Sequence, residues 1–225
     1  MCRSLRGVGQ AGFTLTEALV ATALGLVVLG VFMSFHIAQM YAMRNQTGQV
    51  DLQTSARSIA DLFAREVRRA GTGTNTNPTC HGTVSTGILM AQSSRMRIRA
   101  DLNGDGSLTG PNEDVTYTLD FTNNQVTRTD NASAQTNTLW SGLSLAGSQI
   151  LYFDSNGIQL TPGASGLSAA QLLQVMRVRL QLTLTVNVIQ PRNPLQQTAA
   201  EAADVELRNR HFVMNLCPTP GPGIN

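Results

Sequence analysis

The residues best suited to chemistry are carboxylates, and they fall in two places. Glu17 sits at the mouth of an apolar run that holds no charge until Arg44. An ionised side chain there is costly in hydrocarbon and asks for an opposite charge. The second place is Asp101-Leu102-Asn103-Gly104-Asp105-Gly106-Ser107, which fits the front half of a Ca²⁺ loop, D-x-N-x-D-G. Alternate oxygen-bearing side chains converge there, Gly106 permits the sharp turn, and Ser107 offers its carbonyl. The twelfth position holds Asn112 instead of the Glu of an EF-hand, and Glu113 and Asp114 follow. The flanks read as strands, so the expectation is a hairpin loop whose ion is closed by Glu113 or Asp114. The plainer reading is an Asx-rich turn with no ion. No Ser/His/Asp, Cys/His, phosphate-loop, dinucleotide or zinc motif stands out, so the chain is not read as an enzyme.

These groups need elements to hold them. Residues Ala18 to Phe35 contain only Ala, Leu, Val, Gly, Phe, Met, Thr and Ser, and the uncharged stretch runs on to Met43. About 20 apolar residues cross a bilayer as a helix, so the segment is long enough to span. Arg3 and Arg6 precede it, which places the N-terminus in the cytoplasm and the rest of the chain outside. A cleaved secretory signal fits poorly, because no small-x-small site closes the run. A plain signal anchor fits better, with Thr14 and Glu17 as a capping box for the helix start.

A sharper reading comes from Gly12-Phe13-Thr14-Leu15-Thr16-Glu17 behind a short basic leader, with the apolar run starting at once. This arrangement resembles the class III signal of type IV prepilins and type II secretion pseudopilins. The resemblance implies that a prepilin peptidase cuts between Gly12 and Phe13 and methylates the new amine of Phe13. It also implies that the helix is retained and that Glu17 neutralises the N-terminal amine of a neighbouring subunit. Pairing two buried opposite charges across subunits removes a desolvation cost that each would carry alone. Many major pilins hold a Pro in this helix; here the soft points are Gly25 and Gly30.

Beyond Met43 the helical period persists. Leu52, Ala56, Ile59, Phe63 and Val67 form one face, and Gly71 followed by Thr-Gly-Thr-Asn-Thr-Asn-Pro stops the helix. One helix from about Thr14 to Ala70, near ~85 Å long, is expected. Downstream the period changes to two, most clearly over Met176 to Ile189. Shorter strands are expected at Gly87–Ala91, Arg95–Asp101, Asp114–Phe121, Gln125–Thr129 and Gln149–Asp154, with turns at Asn123-Asn124 and Asn156-Gly157. Asp204 to Leu216 reads as the neighbour of the longest strand, reached through a connection, Gln190 to Ala203, with room for a short helix. The fold class is α+β, with a long N-terminal helix packed on an antiparallel β-sheet. The expected organisation is a leader over 1–12, a membrane or filament-core helix over 13–43, its amphipathic half over 44–71, and a β domain over 72–225.

Within the pilin class, Arg57…Phe63-Ala64-Arg65-Glu66-Val67-Arg68-Arg69-Ala70-Gly71 and the late Val205-Glu206-Leu207-Arg208-Asn209-Arg210 resemble PilW-type minor pilins, with PulJ-type pseudopilins the nearest relatives. The resemblance implies a subunit of a type IV pilus or its priming complex, first in the inner membrane with a periplasmic domain and then at the cell surface. Its partners would be prepilin peptidase, other minor pilins, the major pilin and the assembly platform. Two alternatives stand: a minor pseudopilin of a type II secretion system, and a membrane-anchored Ca²⁺-binding surface module.

Outside the leader the chain has Cys80 and Cys217. Two thiols in an oxidising compartment favour a disulfide, against free thiols or a metal site with His81. Cys2 lacks a lipobox. Arg95, Arg97 and Arg99 share one strand face, read as solvated surface rather than a nucleic-acid patch. Two of the 16 basic residues, all Arg, lie in the leader, so the remainder balances the 14 acidic ones and exerts no global pull on DNA.

Overall fold

The computed structural model describes residues 12–72, 87–188 and 195–207. The chain divides into two compact units, 1–47 and 48–225. Helix α1 (Leu15–Arg69) contributes to both. Its start is fixed by Thr14 and Glu17, which exchange capping bonds: the Thr14 N–H donates to Glu17 Oε2 at 3.0 Å and the Glu17 N–H donates to Thr14 Oγ1 at 3.3 Å. At the other end Gly71 takes φ 83°, the left-handed conformation that favours glycine, and its N–H donates to the Arg99 carbonyl.

In the first unit the apolar part of α1 buries nothing. Val27, Phe32 and Met43 are 64%, 65% and 68% exposed, and their neighbours are similar. α1 is the one helix among the described residues long and apolar enough to cross a membrane.

Among the described residues, the second unit holds a single apolar core between the later turns of α1 and two antiparallel sheets. The first sheet is a meander of β1 (Ile88–Ala91), β2 (Arg95–Arg99), β3 (Asp114–Asp120), β4 (Gln125–Asp130) and β5 (Gln135–Ser141), in that spatial order. The second contains β6 (Gln149–Phe153), β7 (Gln159–Leu160), β8 (Arg177–Val188) and β9 (Leu195–Glu206), ordered β7-β6-β8-β9. A one-turn helix, α2 (Ala169–Leu172), lies between β7 and β8, with Ser168 and Gln171 as its capping box.

The helix face foreseen from the 3.6-residue period is the face that is buried: Leu52, Ala56, Ile59, Phe63 and Val67 are all in the core. Phe63 meets Tyr117 of β3 edge-on, with ring centroids 5.2 Å apart. The sheets are joined where β8 runs on past β6 and pairs through Leu184 with Leu143. The Thr185 N–H donates to the Gly142 carbonyl at 2.6 Å, and a Cβ at Gly142 (φ 118°) would stand 2.2 Å from the Thr185 carbonyl oxygen.

Strands β1–β4, β6 and β8 match the expected runs to within a residue or two. Asn124 and Gly157 carry the positive φ values that their hairpin turns need. The fold differs from expectation in three places. There are two sheets rather than one. The neighbour of β8 is Leu195–Glu206, paired residue for residue from Arg177↔Glu206 to Val188↔Leu195, so the Ala-rich run expected as a connection is itself strand. Alanine has little strand preference of its own, but Ala202 and Ala203 line, with Ala60 and Ala64 of α1, the groove where strand and helix approach, and small side chains permit that approach. Third, β5, the two-residue β7 and the one-turn α2 were not expected; Gln135-Thr-Asn-Thr shows no apolar alternation, and β7 and α2 are too short to carry a period.

Candidate functional site

Gly12 and Phe13 precede the first helical turn, and the Phe13 ring is 89% exposed. Four residues on, the Glu17 carboxylate accepts from the Thr14 N–H and from Thr14 Oγ1 at 2.8 Å. The carboxylate is thus held at the helix N-terminus, where the first-turn N–H groups favour negative charge. Behind it lies an apolar surface, roughly from Leu15 to Met43, far larger than a water-soluble monomer leaves uncovered. Such a surface suits lipid or the apolar helices of other chains.

The second candidate site is the loop between β2 and β3. Carboxylate oxygens of Asp101, Asp105 and Glu113 lie within 4.8 Å of one another. Ca²⁺ binds oxygen ligands at 2.3–2.6 Å, so ligands on opposite sides of one ion stand about 5 Å apart, and the hard-oxygen donor set fits that ion. Asp101 and Glu113 are buried, Asp105 is exposed. Backbone donors offset part of the mutual repulsion. Asp101 accepts from the N–H groups of Gly104 and Gly106, and Glu113 from those of Leu102, Asn103 and Gly110. Asn103 Oδ1 accepts from the Asp105 N–H, and the Ser107 hydroxyl pairs with that of Thr109.

Of the two acids that follow the loop, Glu113 joins the cluster and Asp114 does not. Asp114 takes a two-pronged bond from Arg97, at 2.7 Å to each oxygen, and a further 2.7 Å bond from Arg99. Burial pushes its carboxyl up, but the bonds from Arg97, Arg99 and Asn131 outweigh that and hold it below the ordinary carboxylate value. The hydrogen bond to Asp114 likewise raises Arg97. The Arg95-Arg97-Arg99 face is therefore partly neutralised on its own sheet. Asn112, at the twelfth position, takes φ 63° and turns its Oδ1 to Arg128 instead of the loop.

That contact belongs to a polar cluster that the sequence reading passed over. Glu66 of α1 accepts from Arg128 Nη2 at 2.7 Å, from Arg128 Nε at 3.0 Å and from the Tyr117 hydroxyl at 2.6 Å. Desolvation lowers the Arg128 guanidinium, yet the Glu66 carboxylate outweighs it and raises the net value. Burial, followed by the charge of Glu66, raises the Tyr117 phenol, which keeps it a donor. A signal existed: Arg128 lies two residues beyond the buried Val126 on β4 and shares its face, a charge on a core-facing position. Above the cluster opens a cleft of about 500 Å³ between α1 and the first sheet.

Cys80, Cys217 and His81 lie outside the described residues. A family model described as PpdB, prepilin peptidase-dependent protein B, matches residues 45–202. No curated protein and no solved structure matches the chain.

Proposed function

Since the chain belongs to the prepilin peptidase-dependent protein B family, we propose that it is a minor pilin of PilW type, an assembly subunit of a type IV pilus. The observation that carries this reading is the uncovered apolar helix directly behind Gly12-Phe13, with Glu17 at its mouth. Prepilin peptidase cuts between Gly12 and Phe13 and methylates Phe13. The helix waits in the inner membrane, N-terminus cytoplasmic and β domain periplasmic, and then packs beside the helices of the major pilin and other minor pilins on the assembly platform. Among the described residues of the lone chain, Glu17 takes its side-chain hydrogen bonds from Thr14. On assembly it gains the neighbour's terminal amine, a full opposite charge, which sets the axial register because only one offset pairs the two groups.

The pairing of Asp101, Asp105 and Glu113 supports a Ca²⁺ ion bound to the β2–β3 loop, with Asn103 and the Ser107 carbonyl as further ligands. It would brace the end of the first sheet. A disulfide between Cys80 and Cys217 would tie the chain just after α1 to its C-terminal segment.

The mass of the purified protein's N-terminal peptide tests the reading. A chain starting at methylated Phe13 supports it; an intact leader favours the plain membrane anchor. A type II secretion pseudopilin shares that processing and is separated from a pilin by which filament, after shearing, contains the chain.

A further inference from the structure

The two sheets end in four edge strands, and three carry features that discourage another strand. β1 is short, and its Ala91 carbonyl already accepts the Leu167 N–H at 2.8 Å. β7 has 2 residues. β9 is long but bears Glu201, Asp204 and Glu206. β5, Gln135–Ser141, has 7 residues, no charge and no proline, and most of it is exposed. Among the described residues no strand lies beyond it. Proteins ordinarily protect such an edge, since its unpaired N–H and C=O groups are a template for a further strand.

Two more observations fall on this strand. Asn137 and Leu139 form one wall of the cleft, whose apolar lining also includes Leu62, Ile98 and Val115. Trp140 Nε1 is buried and has no hydrogen-bond partner. A strand added to β5 would continue the two-residue alternation, with one set of side chains beside Thr136 and Thr138 and the other over the cleft.

We propose that β5 is a docking edge that accepts an extended, uncharged strand from an adjacent subunit of the filament, with an apolar side chain over the cleft. Neutrality follows from charge matching. β5 offers no counter-charge, and the charges lining the cleft are already engaged, Glu66 with Arg128, Arg99 with Asp114 and Glu113 with loop N–H groups, so a further charged side chain there would be desolvated without compensation. The choice of a filament neighbour rests on the pilin reading above and on size. Seven residues span about 23 Å, and such an edge buries far less than the roughly 1,200 Å² that a free-standing complex needs. Between heads already held side by side by their helices, a high effective concentration makes so small an edge sufficient.

Hydrogen exchange of the full-length chain, alone in detergent and in sheared filaments, tests this. The peptide covering 135–141 is expected to exchange at least tenfold more slowly in filaments. Equal rates in the two states, or protection already present in the lone chain, overturn the proposal and leave the pilin reading standing. A chain that never enters filaments removes both. In parallel, the Thr136→Lys/Thr138→Lys pair, on exposed positions, should reduce incorporation at least fivefold with normal processing, and Thr136→Val/Thr138→Val should not. Full incorporation of the lysine pair also overturns the proposal.

Discussion

Glu66→Gln removes one charge from the cluster that joins α1 to the first sheet. It leaves Arg128, whose side chain is 10% exposed, without its counter-charge, held by neutral acceptors alone: the new amide carbonyl at position 66 and the Asn112 side-chain carbonyl. Breaking a buried ion pair from one side typically costs 3–5 kcal/mol. Glu66 is 18% exposed, so water reaches the site, and about 2–3 kcal/mol is the expected loss. For a protein of this size that corresponds to a midpoint about 4–12 °C lower. Replacing both charges tells more. Glu66→Leu with Arg128→Met in a Tyr117→Phe background leaves no buried polar group of the cluster orphaned, since Asn112 is exposed to water, and should cost far less than either charge deletion alone. Urea unfolding of the full-length protein in detergent, followed by the fluorescence of Trp140, the only tryptophan, measures all of these. If Glu66→Gln shifts stability by less than about 0.5 kcal/mol, or the paired replacement is as damaging as the single ones, the argument that these charges satisfy each other is wrong.

Asp114→Asn should cost about 1–2 kcal/mol at neutral pH, discounted because Arg97 and Arg99 are each about a third exposed. Because the folded carboxyl sits below its ordinary value, its contribution is complete above the unfolded carboxylate pKa and fades as pH falls through the folded one. The variant should therefore show a shallower loss of stability in acid titration. Gly142→Ala should destabilise the join between the sheets by about 2 kcal/mol or more, read as a lower unfolding midpoint, since its Cβ would overlap the Thr185 carbonyl. Calorimetric titration of Ca²⁺ should give heats that vanish in Asp101→Ala and weaken in the milder Asp105→Asn; unchanged heats in both would remove the ion from the account.

The helix was legible because two signals agreed along it. A charge-free run gave the exposed part, and a 3.6-residue apolar face from Leu52 to Val67 gave the part that packs. Strand β8 was equally plain, since its apolar residues alternate over its whole length. β5 and β9 were not, because Thr, Asn, Gln and Ala carry no contrast between faces, and their state is set by the neighbours they pair with. The sequence showed that Asp101, Asn103 and Asp105 lie in one loop, but it left Glu113 and Asp114 equivalent. Strand parity separates them: Asp114 falls on the face with Arg97 and Arg99, Glu113 on the other. Glu66 and Arg128 are 62 residues apart, and nothing local to either announces the other.

Register in the filament is assigned to one carboxylate, and the incorporation of Glu17→Gln into filaments is the decisive measurement. The variant should be cleaved and methylated at Phe13 and reach the membrane at the normal level, yet appear in sheared filaments at less than a tenth of the normal amount. Wild-type incorporation of the neutral variant would contradict the account.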